Sequence, residues 1–140
     1  MPSHLPDGEA GLVEAHRSLT THVSRIEDDV AGRVETTTRS SWGRSLSRQE
    51  REIIKRYVKC LVCQSVPAAL KGETVPSHNE MVASCILDDL EAQALKHLRV
   101  TNDQLLMASI QEMTEDVAEM TETDRAAYLA AVETLCIAGD

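Results

Sequence analysis

The sequence predicts an all-α fold, a bundle of about five helices. Three observations predict it. Apolar residues recur at helical spacing from Leu12 to Cys136, with no alternating strand pattern and no Asn-Gly hairpin. Three stretches fit the capping box that opens a helix: Ser47-Arg48-Gln49-Glu50, Ser77-His78-Asn79-Glu80 and Thr101-Asn102-Asp103-Gln104. The core must be aliphatic, because the chain has no Phe, one Trp (Trp42) and two Tyr (Tyr57 and Tyr128), and Leu, Ile, Val, Ala and Met suit helices better than β-sandwiches. At 140 residues the chain has the size of one ordinary domain.

Taken in order, residues 1–8 carry two prolines and a glycine and read as a loose arm. Residues 9–38 form an amphipathic helix. Leu12, His16, Leu19, Val23, Ile26 and Val30 stand 4, 3, 4, 3 and 4 apart, a heptad seam of about three repeats. Valine at two a positions with leucine or isoleucine at d suits a two-stranded pairing, and His16 at an a position weakens it. The seam serves either self-association, giving a homo-oligomer, or packing on the chain's own bundle. Residues 39–46 are polar and read as a linker, with the Ser/Thr-rich run beginning at Thr36. Residues 47–140 form the bundle domain. Its first helix carries Ile53, Ile54, Tyr57, Val58, Leu61 and Val62, is ended or kinked at Pro67, and is capped at Gly72. One helix from Ser77 carries Met81, Val82, Cys85, Ile86, Leu90, Ala94 and Leu98. A very short connection at 99–101 predicts an antiparallel pairing with the next helix, which carries Leu106, Ile110, Met113, Val117 and Met120. Val100 and Leu105 take the staple positions around its start. The last helix starts at Thr121–Asp124 and is capped by Gly139. These last three form an acidic core over 77–138.

The formal net charge is −9, unevenly spread: −4 over residues 1–38, +5 over 39–59 and −10 over 60–140. An acidic whole argues against general nucleic-acid binding, since a phosphate backbone repels it. The basic strip around Trp42 (Arg44, Arg48, Arg51, Lys55 and Lys59, with Arg39 and Arg56) is the candidate partner-binding surface. Arginine forks grip carboxylates, an exposed tryptophan anchors interfaces, and Arg48, Arg51, Lys55 and Lys59 share one helix side. The same strip is the basis of an alternative reading as a binder of nucleic acid or an anionic surface. Arg44-Ser45-Leu46-Ser47 also fits a basophilic kinase site, with Ser47 at a helix start.

Other chemistry is sparse. Cys60, Cys63, His78 and Cys85, spaced C-x2-C-x14-H-x6-C, hold the donor types of a Cys3His zinc site, which makes a small zinc module a second alternative. The ordinary reading of those cysteines is small buried apolar groups. Ser77 reads as a cap and not as a nucleophile. Glu112, Glu115, Asp116 and Glu119 share a stripe that reads as a solvated face, with no Glu-x-x-His pair to suggest a di-iron bundle. Phosphate-loop and dinucleotide glycine motifs are absent, and no cofactor is expected. No apolar run approaches the ~20 residues of a membrane span. The first residues lack a basic n-region and an apolar h-region, so the expected location is cytoplasmic or nuclear and not secreted, with the four cysteines as thiols. The leading expectation is a non-enzymatic protein-protein interaction protein: an adaptor, regulatory subunit or assembly factor.

Overall fold

A computed structural model of the chain describes residues 7–86 and 88–138. Among them are six helices and no strand: α1 (Asp7–Trp42), α2 (Arg48–Leu70), α3 (His78–Cys85), α4 (Asp89–His97), α5 (Gln104–Ala118) and α6 (Glu122–Ala138). The arm expected over 1–8 falls outside the described residues except for its last two, which belong to α1. The Gly139 cap lies outside them as well.

Helix α2 is the centre of the molecule. It packs against α1, α3, α4, α5 and α6, while α1 and α6 share the other large interface. The reason is in its sequence: Ile54, Val58, Leu61, Val62 and Val66 are fully buried, and Tyr57 and Ser65 with them, so one side of α2 is buried along its length while Arg48, Arg51, Lys55 and Arg56 on the other side stay exposed. The expectation of a core made by the last three helices is therefore corrected. Residues 77–138 have no core of their own and close around α2. Helix α6 runs antiparallel to α2, since Leu70, Lys71 and Gly72 line one cleft with Glu122, Arg125 and Ala126 while Cys63 is joined to Cys136. Helices α4 and α5 each pack on α2 more extensively than on each other, which corrects the antiparallel pairing expected across 99–101.

The predicted caps hold at two starts. Ser47 Oγ accepts from the Glu50 amide at 3.1 Å, and Ser77 Oγ from that of Glu80 at 3.3 Å, each with the reciprocal glutamate contact. The third box is corrected. Asp103, not Thr101, caps α5, accepting from the Leu106 amide at 3.0 Å. That two-residue shift buries Val100 but leaves Leu105 61 % exposed, so no staple forms. The helix expected from Met81 to Leu98 is two helices. Asp88 stands in extended backbone and caps α4 through the Glu91 amide at 2.8 Å, so it opens a new helix where the apolar period alone reads through. The linker expected at 39–46 begins only at Gly43. Thr36, Thr37 and Thr38 donate their hydroxyls to the carbonyls four residues back (Gly32, Arg33 and Val34), which keeps this polar β-branched run helical, and Thr38 is fully buried.

Two disulfides, Cys60–Cys85 and Cys63–Cys136, tie α3 and α6 to successive turns of α2. Both the thiol state and the zinc set are thereby corrected. With every sulfur of Cys60, Cys63 and Cys85 in an S–S bond, no thiolate is left for a metal. His78 instead lies 3.3 Å from the Thr101 carbonyl. Among the described residues no helix is long and apolar enough to cross a membrane.

Candidate interaction surface

The end of α1 and the start of α2 form a fixed corner. Gly43 turns the chain at φ 64, a conformation natural to glycine. Behind it Glu35 gathers the corner: its carboxylate accepts from the Leu46 amide at 2.5 Å, from Arg51 at 3.2 Å and from Arg39 at 3.4 Å. The amide of Leu46 and the two guanidiniums hold its carboxyl below the usual range. Arg44 clasps Glu50 with both nitrogens, at 2.8 and 3.1 Å, and this holds the Glu50 carboxyl down at about 2. Leu46 is buried beneath the corner.

The basic stripe of α2 lies along α1. Arg51 pairs with Glu35, and Lys55 and Lys59 both draw Glu27 toward its ionised form, against a burial that raises its carboxyl overall. Arg56 pairs with Glu91 of α4, a carboxylate that is 3 % exposed and whose second oxygen is buried without a partner. Much of the positive charge that reads as a free surface is thus met by this chain's own Glu27, Glu35, Glu50 and Glu91. Among the described residues Arg48, Lys55 and Lys59 make no ion pair. Tyr57 belongs to the core, and burial pushes its phenol up to about 12.

Trp42 does stand at the surface, 42 % exposed, and it is held. Its ring stacks on that of His97 with centroids 4.2 Å apart and planes within 5°, and the Arg44 guanidinium carbon lies 5.6 Å from its centroid. Near this stack a cleft of about 390 Å³ runs between α1 and residues 98–105, which join α4 to the first turn of α5, lined by Arg33, Val34, Arg99, Asp103 and Leu105 among others. Arg33 is fixed on Asp103 at 2.9 Å. Arg99 closes α4 in left-handed backbone, φ 62, with its amide bonded to the Lys96 carbonyl and that of Val100 to Leu95.

The heptad seam turns inward. Leu19, Val23, Ile26 and Val30 are buried within the chain, while Leu12 and His16 are exposed. Glu112, Glu115, Asp116 and Glu119 are exposed. Sequence reasoning missed His97, Arg99, Glu35 and Cys136. His97 carries no local signal, since its partner lies 55 residues away in sequence. A charge-by-helix reading could have marked Glu35, which stands one turn before Arg39. Comparison with protein families, curated proteins and solved structures finds no match to this chain.

Proposed function

We propose that the chain is a non-enzymatic protein-protein interaction module that presents the Trp42 end of its bundle to a partner. One observation carries the reading: a half-exposed tryptophan stacked on His97 with the Arg44 guanidinium close to its ring. An interface anchor binds best when its side chain is ordered beforehand, because the ordering cost is then not taken from the binding energy. A tryptophan that served only the core would be covered. The inward turn of the seam favours a partner of another kind over self-association, and the internal pairing of the strip reduces what is left for nucleic acid. The disulfides favour an oxidising compartment over the reducing one expected from composition.

The test is affinity capture from the native source, comparing the wild-type chain with Trp42→Ala. A stoichiometric protein retained by the first and lost by the second, with equal helicity in both, supports the reading. A retained protein that ignores the substitution removes Trp42 from the interface. Light scattering at rising concentration addresses self-association: a mass that stays monomeric excludes it.

A further inference from the structure

Resting on that reading of Trp42, we infer that the partner is an acidic peptide segment carrying an apolar residue, seated in the cleft between α1 and residues 98–105. Three observations converge there. The first is apolar surface. Leu105, 61 % exposed, lines a cleft of about 390 Å³ together with Val34 and Leu98, and Trp42, 42 % exposed, stacks on His97, the residue next to Leu98, so an apolar side chain entering the cleft would meet apolar groups from both α1 and α5.

The second is charge. Residues 60–140 hold only four basic side chains against fourteen acidic ones, and two of the four, Lys96 and Arg99, flank the stacked His97. Neither makes an ion pair among the described residues, whereas Arg33, Arg39, Arg44, Arg51 and Arg56 all do. An acidic protein therefore keeps a cationic end whose charge is left for an external carboxylate.

The third is backbone. Arg99 occupies the left-handed position that closes α4, where glycine would serve at lower conformational cost. What arginine adds is an exposed guanidinium among the residues that line the cleft, able to take a carboxylate in fork geometry. A long phosphate chain fits less well, since beyond this end it would cross the exposed carboxylates of α5.

Trp42 is the single tryptophan, so its emission reports on this end alone. The experiment titrates the full, disulfide-intact chain with a short peptide of glutamates around two leucines, followed by Trp42 emission and by calorimetry. Glutamine and lysine versions of the peptide and a single-stranded DNA oligonucleotide serve as comparisons. The acidic peptide is expected to saturate the site and to weaken as salt rises. Arg99→Glu and Lys96→Glu are each expected to weaken it about tenfold or more. Leu105→Ser, at an exposed position, is expected to weaken it without changing thermal stability. Equal affinity for the glutamine peptide, indifference to the charge reversals, tighter binding of DNA, or a doubling of mass abolished by Arg99→Glu would each overturn the inference. A lysine peptide that saturates the Trp42 signal while the acidic one stays silent overturns the partner chemistry and leaves the interaction reading standing. Loss of that wider reading shows separately, in the capture experiment with Trp42→Ala.

Discussion

Arg99 and Glu50 show how single side chains set this molecule's responses. A non-glycine residue in left-handed backbone costs roughly 1–2 kcal/mol, part of which a glycine returns through its freer unfolded chain. Arg99→Gly is therefore expected to stabilise the fold by roughly 0.5–1 kcal/mol, read as a higher thermal midpoint, while weakening acidic-peptide binding. A gain in stability with binding retained would mean that the guanidinium has no role. Glu50 works through pH. Its carboxyl is held at about 2 in the folded protein, far below its ordinary 4.5, chiefly by Arg44. A depressed carboxyl stabilises the fold above its unfolded value, and that stability is lost as pH falls through the folded one. The contribution of Glu50 is thus whole above about pH 5 and drains away toward pH 2. Glu35 adds in the same direction, and Glu27, raised by burial, opposes both. Thermal midpoints measured from pH 7 to pH 2 should fall on the acid side, and Glu50→Gln should lower the neutral-pH value while flattening the slope. An unchanged slope in the variant would shift the acid sensitivity to other carboxylates.

At the scale of elements, the start of α5 carries two duties on one residue. Asp103 caps the helix through Leu106 and also holds Arg33 of α1. Asp103→Ala should cost about 2 kcal/mol in chemical denaturation, whereas Asp103→Asn, which keeps the cap and drops the charge, should cost under about 1 kcal/mol. Equal costs would show that the cap is incidental. How far the elements could be read from sequence follows from the same local chemistry. Starts at Ser47, Ser77 and Thr121 were legible because a hydroxyl three residues before an amide suffices to cap it. The start at Asp103 was misplaced by two residues because Thr101 offers an equally good local pattern, and only packing chooses between them. The length of α1 was underestimated because threonine hydroxyls compete with the helix in isolation, yet here they bond to its own carbonyls beside a buried Thr38. The division into α3 and α4 hid inside an apolar period that runs through both helices. Of the candidate surface, Trp42 was legible. Its partner His97 was not, because no periodicity links the end of α1 to the end of α4.

For the whole molecule, the deciding fact is that one helix serves as the common neighbour. The buried faces of α2 were visible in sequence, but not their consequence. Cys60 and Cys63 look like small apolar members of that helix, and four cysteines admit three pairings. Only the packing of α3 and α6 onto α2 selects the observed ones. With partners 25 and 73 residues apart, the chain-entropy model gives about 3.5 and 4.4 kcal/mol for the two closures taken singly. Both closures span the loop that joins Lys71 to Ser77, and this bears on what holds the chain together. Cleavage at a protease site built into that loop should leave a molecule that migrates as one species on a non-reducing gel and as two fragments after reduction, with helicity retained before reduction. Separation without reductant would refute the observed pairings. At that loop the peptide backbone is redundant as a physical connection. The two parts are held through sulfur, so the chain can be opened there to create new ends, or carry an inserted sequence, without losing covalent unity.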